Sequence, residues 1–184
     1  MDHHFSHHFS HHFRRLLDPE RKKFEDPEKF IPSLLRGNEV VVDMGCGPGY
    51  YCPVLEEHSL KLYCIDLSKE ALDIAKTMVK KSSTVFLNEP SEHTSLPSSS
   101  VDVVVFSSSF HDMDREGAYK EVMRILKPCG RVIIVDWRKD APFGPPAHIR
   151  MSREDYLVTF KDFQVVTEFS PGPYHFGLVL QRKC

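Results

Sequence analysis

Val40-Val41-Val42-Asp43-Met44-Gly45-Cys46-Gly47-Pro48-Gly49 is the stretch that decides how this chain folds. Three consecutive β-branched residues with no polar interruption read as a strand buried on both faces, the situation of a parallel sheet. The strand closes on an acid followed by glycines at alternate positions, where backbone can approach a ligand closely. From Gly49 to about His58 the pattern is helical, with Pro53 tolerated near the first turn, so unpaired N–H groups face the same spot. Strand, glycine turn and helix N-terminus in this order open a nucleotide-binding unit.

Outward from that unit, strands and helices alternate. Leu60 to Ile65 is the second strand, and Ser68 caps a helix that keeps Ala71, Leu72, Ala75, Met78 and Val79 at helical spacing. Thr84 to Leu87 is the third strand, followed by a Ser- and Pro-rich polar stretch through Ser100. Val101 to Phe106 is the fourth, Glu116 to Leu126 a helix, Pro128 to Gly130 a turn, and Val132 to Val135 the fifth. After a helix at Ser152 to Phe160, Phe163–Phe169 and His175–Gln181 flank Ser170-Pro171-Gly172-Pro173 and read as a hairpin. The expected architecture is α/β: a doubly wound, mostly parallel, seven-stranded Rossmann-like sheet with an antiparallel C-terminal hairpin strand at its edge.

Upstream, Asp18-Pro19-Glu20 and Asp26-Pro27-Glu28 each pair a cap with Pro at the first helical position, so two short helices are expected within 18–36. The second would carry Phe30, Ile31, Leu34 and Leu35 on one side. Before them, His-His-Phe-Ser recurs and places His3, His4, His7, His8, His11 and His12 within twelve residues. Residues 1–17 are read as a His-rich, mobile tail, and 18–184 as one domain. If helical, the tail's histidines four apart would share a face able to hold a divalent metal.

With 184 residues, the chain can bury one sizeable core. Twenty-four Lys and Arg against 26 Asp and Glu leave no basic footprint, so no nucleic-acid partner is expected. The five cysteines, at 46, 52, 64, 129 and 184, show none of the paired spacing of zinc or redox motifs. No metal is assigned on that basis, and a reduced, cytoplasmic setting is expected. No apolar run is long enough to span a membrane. A monomer or homodimer is anticipated.

In an open parallel sheet the ligand crevice lies at the carboxyl ends of the strands, where their order reverses. The first such end offers Asp43, Gly45, Cys46, Gly47 and Gly49, with Tyr51 just beyond. Asp66 closes the second strand 23 residues after Asp43, about where an acid meets a ribose hydroxyl, and Leu67 follows it. Asp66 could equally flank the helix that Ser68 begins. Beyond the third strand stand Glu92, His93 and Thr94, read as an adenine-side group or as a solvated loop. The fourth strand leads through Ser107, Ser108 and Ser109 to His111 and Asp112. Asp136 and Trp137 end the fifth, and a Pro-rich loop from Pro142 to Pro146 precedes His148 and Arg150. His111, ranked first, Asp112, Asp136 or His148 could serve as a general base, and Arg150 could hold a substrate carboxylate or phosphate or bond a neighbouring acid.

An acid entering the loop suits an ammonium and sits badly beside a pyrophosphate, which points to S-adenosylmethionine rather than a dinucleotide. The residues resemble the class I S-adenosylmethionine-dependent methyltransferases, more closely the small-molecule group that includes the ubiquinone and menaquinone biosynthesis enzymes, over about Asp18 to Gln181. The resemblance implies that Asp43, Gly45, Gly47 and Gly49 contact the amino-acid part of the cofactor, that Asp66 is the ribose acid, and that Glu92, ahead of Leu96-Pro97, is the adenine-side acid. Leu126-Lys127-Pro128-Cys129-Gly130 is similar to the family's Leu-Lys-Pro-Gly-Gly turn, with Cys129 in place of a glycine. The implied activity is methyl transfer to a small-molecule acceptor. The rival readings are a nicotinamide-dependent oxidoreductase and a non-catalytic protein that binds S-adenosylmethionine or metal.

Overall fold

A computed structural model describes residues 13–184, so the His-rich tract up to residue 12 lies outside the described residues. Seven strands form one sheet: β1 (Val40–Met44), β2 (Lys61–Ile65), β3 (Val85–Leu87), β4 (Val101–Ser107), β5 (Leu126–Trp137), β6 (Phe163–Phe169) and β7 (His175–Arg182), in the order β3-β2-β1-β4-β5-β7-β6. β1 to β5 pair in parallel, and β7 runs antiparallel to both β5 and β6. The doubly wound sheet with its antiparallel hairpin is therefore present as expected. The order reverses between β1 and β4, which places the ligand crevice above the ends of these two strands.

From residue 31 onward the α-helices that accompany the sheet are α1 (Ile31–Leu34), α2 (Cys52–Glu57), α3 (Lys69–Met78), α4 (Arg115–Ile125) and α5 (Arg153–Thr159). Period-two alternation sends each strand's apolar residues to both faces. Val42, Met44, Val104, Phe106, Val132 and Ile134 meet α4 and α5 in one core, while Val41, Val103, Val105, Ile133 and Val135 face α2 in the other. The first core is reinforced by aromatic edges, such as Phe106 against Phe110 at 5.0 Å between ring centres. Ser68 Oγ accepts the Ala71 N–H at 3.1 Å, and Ser152 and Asp155 form a reciprocal capping box, so both helix starts are set by their caps.

Two local expectations are corrected by the fold. The caps at Asp18 and Asp26 form, accepting the N–H of Glu20 and Glu28, but the segments they open are a pair of 3-10 turns, Pro19–Lys23 and Pro27–Lys29, and the single turn α1. Runs this short do not offset the cost of nucleating longer helices. The second is β5, which begins at Leu126 and takes the Lys-Pro-Cys-Gly turn inside itself. Its register with β4 jumps from Val101 opposite Leu126 to Val103 opposite Arg131. Cys129, at the jump, has φ +64°, a left-handed conformation natural to the glycine it replaces.

Cys129 is joined to Cys184 by a disulfide with Cα atoms 4.6 Å apart, across 55 residues of sequence. Linear spacing gave no sign of it. The β5–β7 register, Arg131 opposite Gln181, brings Cys129 opposite Lys183 when extended by two residues, next to Cys184. Among the described residues, no helix is long and apolar enough to cross a membrane.

Candidate active site

The glycine loop is laced to the end of β2. The N–H groups of Gly45 and Cys46 both donate to the Ile65 carbonyl, at 2.8 and 3.0 Å, and Gly47 N–H donates to Asp66 Oδ2 at 2.9 Å. Asp66 Oδ1 accepts the Ser68 N–H at 2.9 Å, so one carboxylate fixes both the loop and the start of α3. At Gly49, φ +96°, a Cβ would lie 2.9 Å from Ala75, so this glycine serves the packing of loop on helix. At Gly47, φ +54°, a Cβ would meet nothing within 4 Å. The loop thus presents a bare backbone cradle that a side chain would fill.

Above the cradle lies a cavity of about 630 Å³. One side is Gly45, Gly47, Ile65, Asp66 and Leu67; the other is Ser108, Ser109, His111, Asp112, Met113 and Trp137. A smaller recess of about 90 Å³ adjoins it, walled by Cys46, Gly47, Tyr50, Tyr51, Ser107 and Arg21. Tyr51 is held by donating its hydroxyl to Glu25 Oε2, and Arg21 binds Glu25 Oε1 at 2.8 Å while lying over the Tyr50 ring. The N-terminal segment is thereby fastened over the recess. Ser108, at φ +51°, lines both spaces, and its buried Oγ has no hydrogen-bond partner among the described residues. A strained serine with an orphaned hydroxyl at a cavity wall is a common mark of a functional site.

His111 stands at the cavity wall between two acids, its Nδ1 3.3 Å from Asp136 and its Nε2 3.4 Å from Asp112. Burial alone would lower its pKa, but hydrogen bonds to Asp112 and Asp136, together with their charges, raise it to about 9. The ring is an imidazolium at neutral pH, donating from both nitrogens. Asp136 is held in turn by the Tyr156 hydroxyl and by its neighbour's N–H, Trp137 to Oδ1 at 2.8 Å.

The structure separates the other sequence candidates. Asp43 is wholly buried beneath the loop, 3.5 Å from Cys52 Sγ, and burial raises its pKa well above the usual range. Glu92 and His93 are exposed and do not line the cavity; Glu89 and Ser91 do. Asn88 explains the difference, because its amide donates to the carbonyls of Asp66 and Leu67 and draws the following residues over the cavity. Thr94 is tied away from it, its N–H and hydroxyl both donating to Glu121. His148 is exposed on the turn Ala147–Ile149. Arg150 is buried and donates to the carbonyls of Pro145, Arg138, Lys139, Ala141 and Phe143, which makes it the clamp of its own loop. No linear motif signals such backbone-directed work.

An open sheet with a glycine cradle, an acid at the second strand end and a cavity over the switch point defines a class of cofactor-binding transferases and oxidoreductases. Residues 42–134 match the methyltransferase domain family, and the chain belongs to that family. It is 47% identical to a type 11 methyltransferase of Sulfolobus solfataricus, with a TM-score of 0.79 over 88% of this chain and 94% of that one. An S-adenosylmethionine-dependent methyltransferase of Aquifex aeolicus is 27% identical, with a TM-score of 0.84 over 92% and 96% of the two chains. An uncharacterized methyltransferase of Mycobacterium bovis is 33% identical over 56% of this chain and 42% of its own. The chain thus spans less than half the length of that curated relative. Another, a demethylmenaquinone methyltransferase of Leptospira interrogans, is 31% identical over 58% of this chain and 46% of its own.

Proposed function

We propose that this chain moves the methyl group of S-adenosylmethionine to a small, largely apolar acceptor held between Trp137, Met113 and His111. The observation that carries the reading is the joining of the glycine cradle to the Asp66 carboxylate along one wall of the 630 Å³ cavity. S-adenosylmethionine supplies a methyl group already activated by a sulfonium, so the protein's work is placement rather than covalent catalysis.

Residues present fit that cofactor. The recess of Cys46, Gly47, Tyr51 and Ser107 suits the amino-acid end, with the bare Gly47 backbone offering a close approach. Asp66 retains lone pairs for a ribose diol beside its two backbone bonds, and Leu67, 71% exposed, offers an apolar plate for the base. Glu89 takes the adenine-edge position. On the acceptor side, the cationic His111 ring would hold an acceptor oxygen that gains negative charge, which makes it a positioning donor rather than the base first expected of it. The name of the Leptospira relative makes a quinol-like ring a reasonable first acceptor to try.

Calorimetry tests this directly. S-adenosylmethionine should bind at one site per chain, and Asp66→Ala should weaken it by about 10-fold or more, from loss of a charge-assisted hydrogen bond and of loop anchoring. Tight binding of NAD with no response to S-adenosylmethionine would overturn the proposal.

A further inference from the structure

Beneath the glycine loop, on the side away from the cavity, the sulfurs of Cys46, Cys52 and Cys64 all lie within 4.8 Å of one another. Cys52 and Cys64 are closest, at 3.1 Å. The three come from three elements: Cys46 from the loop itself, Cys52 from the first turn of α2, and Cys64 from β2, two residues before Asp66. Asp43 reaches the same cluster, with Oδ2 3.5 Å from Cys52 Sγ. Its other oxygen, Oδ1, is buried with no hydrogen-bond partner among the described residues.

That arrangement is hard to explain as packing. The surroundings are aliphatic, with Val41, Val103 and Val105 in the same core, and a fully buried carboxyl whose best neighbour is a thiol lacks the donors that burial demands. A valine or alanine in its place would leave nothing unsatisfied. A cation held by the three sulfurs would set a positive charge beside the buried carboxyl, and thiolates select a soft or borderline ion.

We infer that Cys46, Cys52 and Cys64 form a three-thiolate site for a thiophilic divalent ion such as zinc, with Asp43 Oδ2, 3.5 Å from Cys52 Sγ, beside it. Zinc–sulfur bonds of about 2.3 Å in a tetrahedron put sulfurs about 3.8 Å apart, inside the present spread of 3.1 to 4.8 Å, so shifts of about 1 Å bring the three sulfurs into ligand positions. Each thiol that becomes a ligand releases its proton to solvent, and no change of oxidation state is involved. Entry is past Cys46, which also borders the small recess. Held by three buried thiolates from the loop, α2 and β2, the ion would pin the loop and the end of β2 from below.

The test uses the full chain, reduced and anaerobic, titrated with cobalt(II) and then zinc. A sulfur-to-cobalt charge-transfer band should saturate at one ion per chain and vanish when zinc is added. It should disappear in a Cys46→Ala, Cys52→Ala, Cys64→Ala variant and persist in Cys129→Ser, Cys184→Ser. The terminal histidines cannot imitate it, since imidazole gives no sulfur band. Should the triple variant fail to fold, Asp43→Asn provides the second reading: the band stays, but cobalt affinity falls about 10-fold or more. Absence of the band, its survival in the folded triple variant, or a Cys52–Cys64 disulfide as the state of the isolated protein would each overturn the inference. None of these readings depends on binding of S-adenosylmethionine, so the site and the proposed activity fail independently.

Discussion

Replacing Asp136 by Asn should turn His111 from a cation into an ordinary histidine. His111 rises from 6.5 to about 9, a difference of about 3.4 kcal/mol between its two protonation states at 1.36 kcal/mol per unit. That gain comes from two carboxylates working against burial. Asp112 is 68% exposed, and an exposed ion pair is worth only about 0.2–1 kcal/mol, less than one unit. Asp136, 2% exposed at its side chain, must supply the rest. Asn can still bond the Tyr156 hydroxyl and accept the Trp137 N–H, so the site keeps its shape while losing the charge. The His111 pKa should therefore fall by about 2 units, to 7 or below, read by titrating the ring's proton and carbon resonances against His111→Gln for assignment. Stability follows the same linkage: a pKa raised by folding contributes fully below about 6.5, and the contribution, at most about 3 kcal/mol, is lost as pH rises through about 9. Urea midpoints should thus decline from pH 6.5 to 9 in the parent and stay flatter in the variant. A His111 that titrates at or below 6.5 in the parent, or that Asp136→Asn leaves in place, refutes the reasoning; if the variant does not fold, the parent titration alone decides.

Gly49→Ala forces a left-handed φ on alanine and a Cβ 2.9 Å from Ala75; strain of about 1–2 kcal/mol and overpacking of about 1–3 should lower unfolding free energy by roughly 2–5 kcal/mol, and an unchanged urea midpoint would disprove the packing role. Cys184→Ser opens a link across 55 residues, for which loop entropy predicts a loss of up to about 4 kcal/mol; reductant should lower the melting temperature of the parent and not of the variant, and a parent indifferent to reductant shows the bond to be unimportant. Arg150→Lys keeps the charge but not the planar fork on five carbonyls; it should cost about 2 kcal/mol and speed proteolysis between 138 and 146, whereas a loss confined to KM for the acceptor would mean that Arg150 meets substrate after all.

Periodicity carried the fold because the central strands β1, β4 and the latter part of β5 are buried apolar runs, and β1 could have been nothing else between Asn38 and Gly45. The glycine loop, Asp66 and the serines after β4 were legible for the same reason: they sit at strand ends, and strand ends are where an open sheet binds. The features that linear patterns miss depend on side chains reaching across sequence. Asn88 redirects the chain so that Glu89, not Glu92, comes over the cavity. Arg150 looks like an anion binder and is consumed by carbonyls. Cys129 reads as a mild departure from a glycine turn, but its partner is 55 residues away. The cysteines at 46, 52 and 64 have no motif spacing because three separate elements deliver them to one point.

Asp43 shows how a correct conclusion can rest on a premise that the folded state changes. As a charge at the mouth of the loop, it would repel a pyrophosphate, and that repulsion favoured S-adenosylmethionine over a dinucleotide. In the structure the carboxyl is fully buried beneath the loop and lines neither the cavity nor the recess. It therefore does not discriminate between cofactors by direct contact through the cavity. Discrimination must come from what the cavity does present: the bare Gly47 backbone, a recess bordered by Tyr51 and Arg21, and the Asp66 carboxylate. The acid of the opening motif then has a different task. It sits where the loop, α2 and β2 converge, so its environment sets how rigidly the cradle is held rather than what the cradle holds.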